Sequence, residues 1–231
     1  MLLHHAGLQF EDIRLSHSDF KKMKDEGKLE FKMLPVLELP NGKFYSQSQA
    51  IKTMLATELG FYPKFTKQTQ KSQGNQELEE QKLNQQTSQE TTQKSILEGY
   101  EIDSILEVNN EICDKYWLME IEKDPQRLEQ DINIYIEIDL RNYFKALNGR
   151  IEKLGSSTDI DHYFLVGNKL TIADFDSTAL AYTLWLNENN KFFEIQNQEV
   201  QKYPKLLKYY EVMRGHIFKE YFQQRNNKLP L

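Results

Sequence analysis

The sequence predicts a protein in two parts, a small α/β unit followed by an all-helical unit. The α/β unit is indicated by an apolar segment at residues 34–39, which Asn41-Gly42 joins to a second apolar pair. Asn-Gly between two apolar runs is the strongest short-range signal for a hairpin. The helical unit is indicated by apolar residues that recur at helical spacing from residue 96 onward. A chain of 231 residues suits one large domain or two small ones.

The elements around the hairpin follow from local signals. Residues 2–6 resemble the end of a helix that Gly7 closes, because glycine is the usual C-terminal stop. Residues 9–15 predict a strand, although their alternation of apolar and polar side chains is imperfect. Residues 47–51 open a helix whose later apolar positions share one face. We therefore expect a strand at residues 9–15, a short helix through Met23, the hairpin and then a further helix, in that order along the chain.

A polar segment at residues 66–95 separates the two parts. It holds nine glutamines and no aromatic residue, so it buries too little apolar surface to offset the entropy of ordering it. We interpret it as a Gln-rich linker or insertion, in which Leu78 and Leu83 could support a short helical turn. The expected domains are therefore residues 1–65 before this segment and residues 96–231 after it.

The helical part contains one specific start signal. Thr171 followed three residues later by Asp174 is a variant of the capping box, in which two side chains satisfy backbone N–H groups at a helix start. The helix that it opens, residues 172–186, is nearly all apolar, which predicts burial on most sides. Another helix is expected over residues 126–147, and Pro204 stands near the first position of the last long helix.

Composition narrows the classes of function. The chain has 29 Lys and Arg against 35 Asp and Glu, a net charge of -6, which argues against a nucleic-acid partner. A single cysteine, Cys113, excludes an internal disulfide and a cysteine-rich zinc site. No apolar run approaches the roughly 18–20 residues that a membrane helix needs, and the start lacks the features of a signal peptide. We expect a cytoplasmic protein without a membrane span.

No metal site is expected from the histidines. The adjacent pair His4-His5 cannot place two ligands on one helix face, because that requires positions about one turn apart. The other three are scattered along the chain at His17, His162 and His216. Cys113 does not belong to a constellation of His and Lys residues in the sequence, so we interpret it as a packed side chain.

Four motifs occur in a fixed order along the chain. They are Met33-Leu34-Pro35-Val36-Leu37, Gln47-Ser48-Gln49-Ala50-Ile51, Gly167-Asn168-Lys169-Leu170-Thr171-Ile172-Ala173-Asp174 and Tyr203-Pro204. Together they resemble the soluble glutathione S-transferase superfamily, closest to the sigma class, and they cover most of the chain outside residues 66–95. The resemblance implies a thioredoxin-like N-terminal domain, an all-helical C-terminal domain, glutathione as substrate, and a homodimer. A subunit of a larger assembly is the alternative to the homodimer.

The resemblance assigns a glutathione site to residues on both sides of the hairpin. Glutathione has a free carboxylate on its γ-glutamyl end, and a helix N-terminus attracts carboxylates through unpaired N–H groups and positive partial charge. Gln47 and Ser48 stand at such a terminus; alternatively, Ser48 only caps its helix. Leu34, before Pro35, would lie extended and offer its backbone to the cysteinyl part. Pro35, which is cis in the family, would position that backbone, shape the turn, or do both.

Four further positions are placed near glutathione by the resemblance. Phe20 stands where the family commonly has Trp, so an indole N–H donor is absent. Lys24 and Lys32 would lie near the glycine carboxylate of glutathione. Asp103 matches an acidic residue that reaches across the dimer to the amino group. From the residues alone, these lysines are ordinary surface side chains and Asp103 is a solvated aspartate on a polar helix face.

No residue of the sequence is expected to be catalytic. In the family, a tyrosine near the end of the first strand donates a hydrogen bond to the glutathione sulfur and favours the thiolate. Met1 aligns inside the family's first helix, so the first strand with that tyrosine is missing. A start upstream of Met1, a segment or partner that fills the gap, and a non-catalytic relative each explain this. Tyr45 and Tyr116 are poor replacements, since neither is placed beside the sulfur by its position in the sequence.

Two functions are therefore carried forward. The first is an enzyme that conjugates glutathione to electrophiles or isomerises a lipid endoperoxide, as some sigma relatives do. The second is a non-catalytic structural subunit of a larger assembly that keeps the fold and binds glutathione without turnover. We expect the chain to show little conjugating activity, because the residues assigned to binding are present and the residue assigned to ionising the sulfur is not.

Overall fold

The computed structural model describes residues 1–64, 78–153 and 164–225. Its first unit contains a small antiparallel sheet surrounded by short helices. In chain order the elements of this unit are α1 (Leu2–His5), α2 (His17–Asp25), β1 (Val36–Glu38), β2 (Phe44–Ser46) and α3 (Ser48–Leu59).

The hairpin predicted around Asn41-Gly42 is confirmed. β1 and β2 pair antiparallel, with Val36 opposite Ser46. Gly42 has a φ of +76°, a left-handed conformation that glycine adopts without steric cost. The hairpin therefore has the turn residue that its backbone requires.

The strand predicted over residues 9–15 is wrong. The chain there is neither helix nor strand, and the side chains of Phe10 and Ile13 are exposed. Arg14 and Asp12 form a local ion pair at 2.7 Å. An extended segment becomes a strand only when its backbone groups exchange hydrogen bonds with a neighbour. Within the described residues the sheet consists of β1 and β2 alone, so this segment has no ladder to join.

The described part of the second unit consists of helices joined by turns and irregular segments. Its α-helices are α4 (Leu78–Ile121), α5 (Pro125–Ile134), α6 (Arg141–Lys153), α7 (Ile172–Thr183), α8 (Phe193–Val200), α9 (Pro204–Val212) and α10 (Lys219–Gln224). π-Helical turns join α5 to α6 at Tyr135–Leu140 and follow α9 at Met213–Ile217. The helix predicted over residues 126–147 is thus one continuous helical run with a π-helical turn inside it.

α4 begins earlier than the sequence predicted. It starts at Leu78, so the later part of the Gln-rich segment is helical, where we expected a linker up to residue 95. Gln, Glu, Lys and Leu are good helix formers, and a helix can form on propensity without the apolar burial on which the linker prediction rested. Residues 65–77 lie outside the described residues. Although α4 is long, no helix in the described part of the chain has an apolar stretch that could span a bilayer.

The core lies in the helical unit, around α7. α4 packs along α7, and α6 packs against α9. Large aromatic side chains fill the space between these helices; the rings of Trp185 and Phe144 meet edge to face at 5.0 Å. From the first unit, Ala56 of α3 is buried in the same core. The burial predicted for the helix after Thr171 is confirmed.

The capping box predicted at the start of α7 is also confirmed. Thr171 and Asp174 are fully buried. The Asp174 carboxylate accepts hydrogen bonds from the backbone N–H of Thr171 at 2.9 Å and of Leu165 at 2.8 Å. It also accepts from the hydroxyls of Thr171 at 3.1 Å and of Tyr209 at 3.0 Å. Burial raises the pKa of Asp174 to about 6, while the four donors act in the opposite direction.

We expect the stability that Asp174 contributes to fall as the pH rises from about 4 to about 6. The pKa of about 6 in the folded state lies above the ordinary value of 3.8. Between these values the folded state binds the proton more tightly than the unfolded state. The stabilisation by Asp174 is therefore fully present at a pH below its pKa in the unfolded state. It decreases by about 3 kcal/mol in total as the pH rises through its pKa in the folded state. Urea unfolding of the wild type and of Asp174→Asn across this range measures the change, because the variant lacks this titration. A stability difference between the two proteins that is independent of pH would contradict the raised pKa.

Candidate functional site

The register of the hairpin brings four of the residues that the resemblance assigned to glutathione to one end of the sheet. Val36 at the start of β1 lies opposite Ser46 at the end of β2. Residues 34–35, before β1, and residues 47–48, after β2, therefore leave the sheet at the same end. We call the surface formed by these four residues the hairpin-end surface.

Gln47 leads from β2 into α3 in an uncommon backbone conformation. Its φ of +72° lies in the left-handed region, which residues other than glycine rarely adopt. Such backbone strain persists only where the surrounding structure enforces it, and it is concentrated at functional sites. Gln47 is the N-cap residue, Ser48 is the first residue of α3, and no N-cap side chain bonds to the helix start. Both residues are exposed, so the first N–H groups of α3 face solvent without a side-chain cap.

Leu34 lies beside this helix start at the same end of the sheet. The peptide bond between Leu34 and Pro35 is cis, as the resemblance implied. β1 begins at Val36, so the backbone of Leu34 lies outside the β1–β2 ladder. The side chains of Leu34, Met33 and Phe31 are all about half exposed. The chain bends at Leu34, so the expectation that this residue lies extended is wrong. A backbone outside the ladder and flanked by exposed apolar side chains can still contact a peptide-like ligand.

Phe20 and Lys24 lie one turn apart on α2. The Lys24 ammonium stands over the Phe20 ring, with Nζ 5.2 Å from the ring centroid, so the two side chains form a cation–π pair. α2 is capped by Ser16, whose hydroxyl accepts from the N–H of Asp19 at 3.1 Å. Among the described residues, no hydrogen bond or ion pair joins Phe20 or Lys24 to the hairpin-end surface.

Asp103 lies on α4 and is exposed. Its Oδ2 accepts a hydrogen bond from the Tyr62 hydroxyl at 2.8 Å. Burial and this carboxylate raise the pKa of Tyr62 to about 12. Asp103 is therefore engaged from within its own chain, through the segment that follows α3.

Of the two tyrosines that we weighed as replacements for the family's catalytic residue, Tyr116 is engaged through its hydroxyl and Tyr45 is held in a strand. The Tyr116 hydroxyl donates to Glu120 at 3.2 Å and accepts from the amide of Asn190 at 3.0 Å. Burial, with Glu120, raises the pKa of Tyr116 to about 12. Tyr45 lies in β2 opposite Leu37. The Tyr116 hydroxyl thus forms its hydrogen bonds within the helical unit, and Tyr45 is part of the hairpin.

A polar network that the sequence analysis missed connects α3 to the helical unit. Lys52 of α3 donates to Asp176 of α7 at 2.6 Å. The other oxygen of Asp176 accepts from the Asn109 amide of α4 at 3.1 Å. Asn109 also donates to Ser177 at 3.1 Å and accepts from the Tyr143 hydroxyl at 2.7 Å. The sequence offered one signal for this network. Asn109 is a polar residue on the face of α4 whose other described buried residues are apolar.

Two cavities of the helical unit lie elsewhere. A cavity of about 310 Å³ lies between α4 and α6, and a wider cleft of about 690 Å³ extends from it towards the segment before α7. The polar side chains that line the first include Glu111, Lys115 and Asp139. None of the residues predicted to bind glutathione lines either cavity.

The cysteine and the N-terminal histidines have packing roles. Cys113 is half-buried, and burial raises the pKa of its thiol. His4 lies 2.9 Å from the side-chain oxygen of Gln224, and the His5 ring lies edge-on to Phe61 at 5.8 Å. His162 lies outside the described residues. Within the described ranges, no group of His, Cys, Asp and Glu side chains is arranged to hold a metal ion.

The helical unit identifies the family. Residues 110–225 match the family model described as glutathione S-transferase, C-terminal domain. The match spans half of the chain and runs from within α4 to the end of α10. The chain therefore belongs to the glutathione S-transferase superfamily.

Solved structures share the fold over nearly the whole chain. Prostaglandin synthase D of Nilaparvata lugens is 17% identical, with a TM-score of 0.65, over 97% of this chain and 89% of that one. A sigma class glutathione transferase of Fasciola hepatica is 19% identical, with a TM-score of 0.62, over 97% and 88%. A glutathione transferase of C. elegans is 21% identical, with a TM-score of 0.61, over 97% and 88%. The comparison with curated proteins found no match.

At these identities the likeness establishes architecture. A small α/β unit precedes an all-helical unit in the order that these structures share. The fold is a thioredoxin-like N-terminal domain followed by a helical glutathione transferase domain.

Proposed function

We propose that this chain binds glutathione at the hairpin-end surface. The observation that carries the proposal is the shared end of the hairpin, where an uncapped, exposed helix start and the backbone of Leu34 lie together. The γ-glutamyl carboxylate would accept hydrogen bonds from the Ser48 hydroxyl and from the first N–H groups of α3. The dipole of α3 favours an anion at this end, which adds to these hydrogen bonds.

The rest of the ligand follows from the same placement. The cysteinyl part would lie extended beside Leu34 and Pro35, exchanging backbone hydrogen bonds as an added strand does. The Lys24 ammonium, held over Phe20, would attract the glycine carboxylate. Asp103 would attract the amino group through Oδ1, since Tyr62 already donates to Oδ2. In a homodimer, which the family suggests, this carboxylate would come from the second subunit.

We further propose that the chain binds glutathione without activating it. Activation requires a hydroxyl donor at the sulfur that favours the thiolate. In the described part of the chain, Tyr116 is held by Glu120 and Asn190, and Tyr45 belongs to the hairpin. We therefore expect neither Tyr116 nor Tyr45 to donate a hydrogen bond to the glutathione sulfur.

A second function, that of a non-catalytic subunit in a larger cytoplasmic assembly, is favoured by a different observation. Apolar side chains are exposed at the hairpin end, at Phe31, Met33 and Leu34, and in the irregular segment at Phe10 and Ile13. Grouped exposed apolar side chains mark contact surfaces. Light scattering on the purified chain tests this function: a mass above that of the homodimer that the family suggests would support it, and a mass of one or two chains would argue against self-association into a larger assembly through these surfaces.

The domain organisation proposed from the sequence accompanies both functions. We propose a glutathione-binding unit at residues 1–65, a connecting segment at residues 66–95, and a helical unit at residues 96–231. The start of α4 at Leu78 extends the helical character into the connecting segment. The part-buried Lys52–Asp176 contact between the outer units supports their working as one body.

Replacing Ser48 with alanine is expected to weaken glutathione binding. The variant loses a hydroxyl donor to a carboxylate, so the dissociation constant should rise about 10- to 100-fold. Isothermal titration calorimetry on the full chain measures this. Thr57→Ala is the matched control, because the Thr57 hydroxyl bonds to the carbonyl of Thr53 within the same helix at 2.7 Å. Equal affinities for wild type and Ser48→Ala would contradict the assignment of Ser48.

A further inference from the structure

α3 is fastened to the helical unit by one charged contact. The Lys52 ammonium lies 2.6 Å from Asp176 Oδ1, and both side chains are mostly buried, at 26% and 15% exposure. A lysine in the first half of a helix is disfavoured by the helix dipole. Its position in α3 is instead explained by the carboxylate that faces it from α7.

Asp176 is itself fixed from two sides. Its second oxygen accepts from the Asn109 amide of α4, and Asn109 is held by Ser177 and by the Tyr143 hydroxyl. Asn109, Ser177 and Tyr143 are all buried. The carboxylate therefore presents one oxygen to Lys52 in a direction set by α4, α6 and α7.

The face of α3 that carries Lys52 is the face that meets the helical unit. Gln49, one turn before Lys52, lies 3.5 Å from the Asn110 amide of α4. Ala56, one turn after Lys52, is fully buried in the shared core. Gln49, Lys52 and Ala56 thus form a stripe along α3 that contacts the helical unit. These contacts fix the rotation of α3 about its axis, and Lys52 is the charged residue among the three.

Ser48 stands one turn before Lys52 on the same helix. A change in the rotation or tilt of α3 moves the Ser48 hydroxyl and the first N–H groups together. Affinity for an anion at a helix start depends on how well these donors are held in the bound orientation before the ligand arrives.

We propose that Lys52 is a positioning residue for glutathione binding, which acts through Asp176 to hold the start of α3. This inference rests on the proposed glutathione site. Lys52 does not reach the ligand, because its ammonium is bonded to Asp176. Removing the ammonium leaves Asp176 with the Asn109 donor alone and leaves α3 held by Gln49 and apolar contacts.

Calorimetry with glutathione on the full chain, together with amide hydrogen exchange, tests the role of Lys52. Lys52→Met should raise the dissociation constant about tenfold and speed exchange in the first half of α3. Lys52→Arg, which keeps the charge, should restore both. Lys115→Met is the control, because Lys115 and Asp139 also pair at 2.6 Å but lie in the helical unit. A purely structural role would lower thermal stability in both Met variants and leave the affinity unchanged.

The outcomes separate the two proposals. Wild-type binding with an unchanged affinity in Lys52→Met overturns the inference and leaves the glutathione site standing. Unchanged exchange in α3 of Lys52→Met also overturns the inference. No binding by the wild type rejects the proposed function and, with it, any role of Lys52 towards glutathione.

Discussion

At neutral pH, replacing Asp174 with alanine is expected to lower the free energy of unfolding by about 1–3 kcal/mol. The substitution leaves two backbone N–H groups and two hydroxyls without their acceptor in a fully buried site. Each buried donor that loses its partner keeps the cost of its desolvation. The same carboxylate joins the start of α7 to Leu165 before it and to Tyr209 of α9, so the loss spreads over three segments.

Chemical unfolding of the wild type, Asp174→Ala and Asp139→Ala measures this effect. Asp139 forms a single ion pair with Lys115, whose side chain is half exposed, so its removal should cost less than about 1 kcal/mol. If Asp174→Ala were no more destabilising than Asp139→Ala, the capping box would not hold α7. If the Asp174 variant does not fold, Asp174→Asn gives the same comparison with one acceptor retained.

Glutathione bound to the full chain is expected to keep the thiol pKa of free thiols, about 8.5. A bound thiol without a hydroxyl donor is only a few per cent thiolate at neutral pH. Conjugation with a chlorodinitrobenzene should therefore run about 10²-fold or more below that of an enzyme that has such a donor. The expectation follows from the contacts that engage Tyr116 and from the place of Tyr45 in β2.

The far-ultraviolet absorbance of the thiolate, titrated at saturating protein, gives the pKa of the bound thiol directly. Tyr116→Phe is an informative companion variant, because it removes the hydroxyl that Glu120 and Asn190 engage. We expect no change in the thiol pKa from this variant. A thiol pKa well below 8.5 in the wild type that returns to about 8.5 in Tyr116→Phe would show that Tyr116 activates glutathione after all.

The hairpin and the start of α7 were predictable because local chemistry determines them. Asn41-Gly42 supplies a residue that adopts a positive φ at low cost. Thr171 and Asp174 satisfy donors within one helical turn, so their spacing is itself the signal. The candidate site was assigned by the resemblance, and antiparallel pairing explains why its residues 34–35 and 47–48 lie at one end of the hairpin.

The remaining features depend on groups distant in sequence. Residues 9–15 alternate too imperfectly to specify a strand, and a strand needs a neighbour that the segment itself does not contain. The contact between Lys52 and Asp176 joins residues far apart in the chain, and nothing in the spacing of either helix indicates it. The start of α4 at Leu78 was missed because composition was used to predict burial, whereas helix formation there depends on propensity.

Chemical-shift mapping with isotopically labelled full chain and unlabelled glutathione tests the glutathione site most directly. The amide signals of Leu34 and Ser48 are expected to move on titration. The signal of Ala146, which lines the cavity between α4 and α6, is expected to stay in place. Shifts confined to that cavity, or no shifts at the hairpin end at saturating glutathione, would contradict the glutathione site.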